Sequence, residues 1–216
     1  MSETATRPPR TIWVGFLFFF GLLGLAFAVW LAGIAHNPPV GVIGPVADFT
    51  LTNQEGQVTT LADLTNHVWV ADIIFTRCAG QCPRMTQQMK SLQDKLLSDS
   101  TARLVTFTTD PDYDSAAILK KYGQRAGADF HRWLFLTGTK REIAAVAGNS
   151  LKLSTQPIKL ADRKSPVDLF IHATIFVVVD KHARLRTFFE TAGDGVAWSK
   201  VEPKILNVVR QLENEP

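Results

Sequence analysis

The sequence predicts an α/β domain built on a central, mostly parallel sheet. Three observations predict it. Apolar, β-branched runs of strand length alternate with helical stretches through the middle of the chain. Glycine-, proline- and aspartate-bearing turns separate those runs. Two strand-like runs, ATIFVVVD and ARLRTFFE, then stand back to back near the end, so a hairpin adds antiparallel strands at one side.

ADFTLTNQEGQVTTL reads as a hairpin turning near Glu55-Gly56. HVWVADIIF is an apolar, β-branched run and so a buried strand. A helix follows from Pro83 to about Ser98; proline suits the first helical position, where its missing N–H has no partner to lose. ARLVTFTT is a second buried strand. DPDYDSAAILKKYGQRAG is a turn feeding a helix that ends near Gly123 or Gly127, with Asp112 or Asp114 as its cap. WLFLTG is a third strand, and TKREIAAVAGN a third helix ending at Gly148-Asn149. Residues 150 to 170 form a polar excursion. The ATIFVVVD–ARLRTFFE hairpin turns at Asp180-Lys181, and SKVEPKILNVVRQLENE closes the chain as a helix whose start Pro203 obscures.

The 216 residues carry 23 Lys+Arg and 20 Asp+Glu, intermixed, for a net charge of +3. No basic stripe interleaves with aromatics, which argues against nucleic acid as a partner. The 2 cysteines are too few for a disulfide scaffold or a four-cysteine zinc site. Thr11 to Ala35 carries no charged residue and is long enough to cross a bilayer, which takes about 20 residues. Residues 1–10 therefore read as a cytoplasmic or matrix tail, 11–35 as a transmembrane anchor, 36–45 (HNPPVGVIGP) as a stiff linker and 46–216 as the globular domain. Arg7 and Arg10 precede the apolar segment, and no Lys or Arg follows until Arg77. That asymmetry places the N-terminus inside and the domain in the periplasm or the mitochondrial intermembrane space. A cleaved signal peptide is the alternative, although its apolar region is ordinarily about 7–15 residues.

IIFTRCAGQCPRM holds both cysteines, Cys78 and Cys82, at the carboxyl end of a central strand and the amino end of the next helix. Open α/β sheets build their sites there. Free N–H groups at the helix start favour thiolate over thiol. In a C-x-x-C turn one sulfur is exposed and the other tucked beneath it. At the i, i+4 spacing found here both sulfurs can point to one spot in solvent, which suits a disulfide or a clamp on a soft ion.

A metal clamp wants a third ligand. His36 abuts the apolar segment, His67 and His131 precede strands in polar surroundings, and His182 sits in a hairpin turn; these read as surface residues. His172 ends the polar excursion and opens a strand, so its imidazole can reach over a neighbouring helix N-terminus; a capping or packing histidine is the other reading. Two thiolates and an imidazole make a soft, three-coordinate set. Thiolates select Cu(I), whereas zinc wants a fourth ligand. Asp110, after an adjacent strand, is a candidate outer-shell charge, or else a turn residue before Pro111. Thr76 and Arg77 stand where they could bond a cysteine sulfur or be ordinary loop. Met85 and Met89 read as a buried helix stripe before a copper path, and Trp69, Trp133 and Trp198 as packing or partner contacts.

F-T-R-C-A-G-Q-C-P resembles the T-x-C-x-x-x-C-P signature of the Sco/SenC family, and T-T-D-P-D-Y-D-S resembles that family's D-P-x-x-D segment. The same order of elements continues through a polar excursion, a histidine, a strand ending in Asp and a hairpin, over about residues 46 to 213. A single N-terminal anchor is also similar to family members. The resemblance implies a thioredoxin-like domain, a central mixed sheet flanked by helices. It implies Cys78, Cys82 and His172 as copper ligands, for Cu(I) or Cu(II). It implies delivery of copper, or of reducing equivalents, to the dinuclear copper centre of cytochrome c oxidase subunit II, with a copper donor protein upstream. Two departures stand out. Ile171 occupies the place of a usual Asp, and Ala79-Gly80-Gln81 fills a gap that often holds Pro and an acidic residue. Less negative charge beside the site favours Cu(I) over Cu(II).

Three functions compete. One is a membrane-anchored copper-delivery protein, a binding module and not a catalyst. The second is a membrane-anchored thiol–disulfide oxidoreductase that uses Cys78 and Cys82 as a redox pair on a partner's cysteines. The third is a peroxidase relative, against which two cysteines in one turn count. His172 divides the first two, because a copper carrier needs a third ligand and a dithiol does not.

Overall fold

The chain divides into two units, residues 1–39 and 40–216. The computed structural model describes residues 10–36, 39–96, 100–153, 155–157, 170–172, 174–193 and 195–216, with side chains except at 10–14, 30–36, 155–157 and 170–172. The first unit is one helix, α1 (Arg10–His36), whose sequence holds neither proline nor an internal charge to interrupt it. Its described side chains, among them Phe16, Leu17, Phe18 and Leu25, are exposed. Among the described residues no helix is long and apolar enough to cross a membrane. The anchor expected over 11–35 is therefore carried forward as a proposal.

The second unit begins with β1 (Gly44–Pro45), β2 (Thr50–Asn53) and β3 (Val58–Thr60), then a 3-10 turn, Leu61–Leu64. Next come β4 (Trp69–Ile74), α2 (Gln81–Leu96), β5 (Arg103–Thr108), α3 (Ala116–Ala126) and β6 (Trp133–Thr137). A short α4 (Lys140–Ile143) runs on as a π-helical segment, Ala144–Ser150. The chain closes with β7 (Thr155–Pro157), β8 (Phe170–His172), β9 (Ile175–Val179), β10 (Arg184–Glu190) and α5 (Trp198–Asn214).

Eight strands form the main sheet in the order β1-β10-β9-β4-β5-β6-β2-β3; β7 and β8 make a separate antiparallel ribbon. Among the described residues only β4–β5 and β5–β6 are parallel. The residue pattern predicts a mostly parallel sheet with antiparallel strands added by a terminal hairpin, and the family resemblance implies a mixed sheet; the structure shows the mixed sheet, with fewer parallel pairings than the pattern alone suggests. A crossover helix demands parallel neighbours only at β4, β5 and β6, and hairpins build both flanks antiparallel.

β4 is buried at every position, and its side chains alternate between two cores. Trp69, Ala71 and Ile73 join the layer that contains Phe107, Ile143 and Leu151. Val68 and Val70 join Met85, Met89 and Leu92 of α2 and Ile205 and Val209 of α5. The two methionines are thus core residues, as their spacing suggests. α3 ends where Gly127 takes the left-handed conformation, φ 72°, and its N–H caps Gln124 O. Pro203 lies inside α5, which starts earlier, at Trp198.

Within the stretch read as a linker, residues 40–45 are tied to the sheet. Ile43 N donates to Leu185 O at 2.8 Å, and Arg186 Nε donates to Gly41 O at 3.0 Å. The β9–β10 register shifts at Arg186, and this buried side chain pairs with Asp180 at 2.9 Å and Glu215 at 2.6 Å.

Candidate metal centre

β4 ends at Ile74 and α2 begins at Gln81, so Cys78 lies in the connecting loop and Cys82 in the first turn of the helix. Cys78 N donates to Phe75 O at 3.2 Å, and Gly80 N donates to the Cys78 sulfur at 3.4 Å. Cys82 is fully buried in a cluster with Ile74 and Phe75, against which half-buried Cys78 and Tyr122 pack. Both are thiols. A hydrogen bond to Cys78 pushes the Cys82 thiol well up, and burial adds to it, against a backbone hydrogen bond with Phe75.

This corrects the expectation of two solvent-facing sulfurs that favour thiolate. α2 starts ahead of Pro83, and Cys82 is thereby turned onto the helix's buried face. Only Cys78 meets solvent. The hydrogen bond to Cys78, with burial behind it, keeps Cys82 a thiol.

The loop is held from three sides. Buried Asp114 accepts from Thr76 N at 3.1 Å, from the Thr76 hydroxyl, and from Thr108 Oγ1 at 2.5 Å. Asp114 is therefore not a helix cap; Ser115 occupies that position. Arg77 Nη2 pairs with Asp110 at 2.5 Å, and its guanidinium lies 4.2 Å from the Tyr113 ring centre. That bond to Asp110 raises the Arg77 pKa further. Asp110 thus acts on the residue beside Cys78, and its carboxylate is oriented by Arg77. Beneath the helix, Thr86 Oγ1 donates to Cys82 O at 2.9 Å and lies 2.7 Å from the Tyr122 hydroxyl. Asp72, fully buried on β4, accepts from Thr106 Oγ1 at 2.7 Å, and Trp133 Nε1 donates to Thr106 Oγ1 at 2.9 Å.

Asp72 and Tyr122 escaped the sequence reading, and Asp114 reads there only as a helix cap. One signal was available: Asp72 is the lone charge inside the apolar run VWVADIIF.

His172 stands in β8, its backbone paired with Thr155 in the β7–β8 ribbon. Its imidazole lies outside the described side chains, as does most of the 150–170 excursion. Among the described residues no three His, Cys, Asp or Glu groups come together to hold a metal. His67 Nδ1 lies 3.1 Å from Thr101 O, and His182 Nδ1 lies 3.5 Å from Arg184 Nη2; neither approaches the cysteines as a partner. Trp69 and Trp133 are core residues, and Trp198 meets Phe176 edge-on, with ring centres 5.8 Å apart.

Two thiols in hydrogen-bond contact can give two electrons and two protons to an oxidant, such as a partner's disulfide, and close a disulfide of their own, or lose protons and chelate one soft cation. Their chemistry fits Cu(I). Ligation by the buried sulfur would leave the ion shielded on one side and approachable past Cys78.

The SCO1/SenC family model matches residues 44–202. The SCO1 protein homolog of Bacillus subtilis (strain 168) is 36% identical over 136 residues, 62% of this chain and 67% of that protein. BsSco, a member of the Sco family of cytochrome c oxidase assembly proteins in which a disulfide switch is identified, superposes with TM-score 0.66 at 28% identity, covering 81% of this chain and 97% of that one. Copper-bound ScoI of Arabidopsis thaliana superposes with TM-score 0.64 at 19% identity over 77% of this chain and 98% of that one, and so shares the fold.

Proposed function

Because the chain belongs to the SCO1/SenC family, we propose that it carries copper for the assembly of cytochrome c oxidase. The ligands are Cys78, Cys82 and His172, and Cu(I) is the favoured state. One observation carries the reading: the free thiols of Cys78 and Cys82 are in hydrogen-bond contact just beyond the end of β4, one half-buried and one buried, with Asp114 pinning the loop between strand and helix. Copper-bound relatives with this fold support it. The acceptor is the dinuclear copper centre of subunit II or a similar site, filled by exchange of ligands at half-buried Cys78 while Cys82 holds the ion. A separate copper donor protein loads the chain.

The apolar α1, with its exposed Phe and Leu side chains, supports a bilayer as its surroundings. The Arg7/Arg10 asymmetry places the domain outside. Protease added to intact spheroplasts or mitoplasts should remove residues 40–216; protection of that unit would reverse the orientation.

A second reading is also favoured by the cysteines. A half-exposed thiol above a buried one is the arrangement of a dithiol reductant. Mixing the Cu(I)-loaded or metal-free reduced chain with a purified, metal-free subunit II domain, reduced in one arm and oxidised in the other, separates the two. Copper transfer to the reduced acceptor supports delivery. Transfer of reducing equivalents to the oxidised acceptor, without copper transfer to the reduced one, supports the oxidoreductase.

A further inference from the structure

A groove of about 410 Å³ lies between α2 and α3, beside the cysteine loop. Thr76 and Pro83, which flank the Cys78–Cys82 segment, line one part of it. Thr86 and Tyr122 line another, and Lys90 and Arg125 a third. Sites that hold small ligands have volumes of about 300–1,000 Å³. The copper site makes no use of this space.

The groove has a direction. Thr86 Oγ1 donates to Cys82 O at 2.9 Å, and Tyr122 packs against the cluster that holds Cys82, so this part belongs to the cysteine end. Seven residues, about 10 Å of helix rise, separate Pro83 from Lys90. A Cβ added at Gly127 would meet Lys90 Cε at 3.0 Å, and Gly127 closes α3 two residues after Arg125. The two cations therefore stand at the end away from the cysteines.

The polar groups along the groove are not equally engaged. Lys90 Nζ is held by both oxygens of Asp94, at 2.5 and 2.6 Å. Arg125 is exposed, and its guanidinium makes no ion pair among the described residues. The single hydroxyl proton of Thr86 goes to Cys82 O, so Thr86 Oγ1 accepts from the Tyr122 hydroxyl at 2.7 Å. The lone pairs of the Tyr122 oxygen are left to accept an N–H.

Resting on the second reading, thiol–disulfide exchange at Cys78 and Cys82, we propose that this groove seats the partner's chain next to its cysteine. The occupant is an extended peptide with a carboxylate side chain three residues from that cysteine. Three extended residues span about 10 Å, which matches the rise along α2 from Pro83 to Lys90. The carboxylate pairs with Arg125, a backbone N–H bonds to the Tyr122 oxygen, and the partner's sulfur meets Cys78.

The test uses peptide disulfides on the reduced full-length chain, in non-ionic detergent and without oxygen. The probes are symmetric disulfides of acetylated, amidated Asp-Gly-Gly-Cys and Cys-Gly-Gly-Asp, each beside its Asn version. The Cys78 thiolate attacks one peptide sulfur, and the first peptide leaves with the proton Cys78 gave up. The Cys82 sulfur then displaces the second peptide, which takes the Cys82 proton. The dithiol gives two electrons and two protons, and the peptide disulfide becomes two thiols. The rate is read as peptide thiol released.

In one of the two orders, the Asp disulfide is expected to react about threefold or more faster than its Asn version at about 20 mM salt, and the preference to fade at about 0.5 M. Arg125→Gln is expected to remove the preference and Arg125→Glu to reverse it. Lys204→Glu, on α5, makes a like change of net charge outside the groove and is expected to keep it. Gly-Gly-Asp-Cys, whose carboxylate is too near the sulfur to reach Arg125, is expected to show no dependence on Arg125. Equal rates for Asp and Asn peptides overturn the proposal alone. So does a preference that survives Arg125→Glu, is lost equally in Lys204→Glu, or depends on Arg125 equally with the adjacent Asp. No exchange with any peptide overturns the oxidoreductase reading and the proposal with it.

Discussion

Asp114 and Thr76 stand 38 positions apart, and Asp114 accepts both the backbone N–H and the hydroxyl of Thr76. Thr108, at the end of β5, donates to the same carboxylate. One buried group thus joins the two neighbouring strand ends that flank the cysteine loop. Burial pushes the Asp114 carboxyl up, and the three donors offset part of that rise. Asp114→Ala would leave these donors facing a cavity. We expect a loss of about 3 kcal/mol in urea unfolding. We also expect faster maleimide labelling of Cys78 under native conditions, because the loop loses its tether. Unchanged labelling would show that the loop is held elsewhere.

Asp180 gives a prediction in pH. Burial alone would raise its pKa, but hydrogen bonds from Arg184 N and Nε, Arg186 Nη1 and His182 N prevail and hold the carboxyl below its ordinary value. A lowered folded-state pKa makes the carboxylate's contribution complete above the unfolded value of about 3.9. The contribution disappears as pH falls below that value and through the folded one. Wild type should therefore lose stability into acid more steeply than Asp180→Asn, as read from urea midpoints between about pH 6 and pH 3. Parallel curves would contradict the assignment.

Gly123 sets two effects against each other. Alanine is favoured over glycine in a helix by about 1 kcal/mol. A Cβ at 123, however, would come within 2.6 Å of Phe130 Cε1 and 2.9 Å of Phe135 Cε2. Those rings meet edge-on, 6.2 Å apart, and Phe135 also meets Tyr122 at 6.3 Å, so neither yields freely. Overpacking of this kind costs about 1–3 kcal/mol. Gly123→Ala should be net destabilising, by about 1 kcal/mol in thermal or urea unfolding. A stabilised variant would mean that Phe130 repacks.

Ile171 bears on the choice of oxidation state. A carboxylate at 171 interacts with one more unit of metal charge in Cu(II) than in Cu(I). At an effective dielectric of about 20 and a separation of about 8 Å, that unit is worth about 2 kcal/mol. Ile171→Asp should raise Cu(II) affinity by roughly tenfold or more, with a smaller gain for Cu(I). Equal gains for both ions would remove local charge as the reason for a Cu(I) bias.

Much of this could be read before the fold was known. Residue pattern placed β4, β5, β6, α2, α3 and the β9–β10 hairpin, because each is a local apolar period with turn residues at its ends. The cysteine pair and its place between strand and helix were equally local. What escaped depends on partners far along the chain. Asp114 reads as a cap until Thr76 and Thr108 are brought to it. Cys82 reads as exposed until the start of α2 turns it inward. β2 and β3 read as a hairpin, but that β2 adds to the far edge of the sheet beside β6, more than 80 positions on, is visible only in the fold.

The central claim is that His172 completes a copper site with Cys78 and Cys82. Anaerobic Cu(I) competition on the reduced full-length chain, wild type beside His172→Ala, tests it most directly. The account predicts one tight copper per chain and an affinity at least tenfold weaker without the imidazole, a difference of about 1.4 kcal/mol or more. Equal affinities would leave a bare dithiol at the end of β4 and contradict the claim.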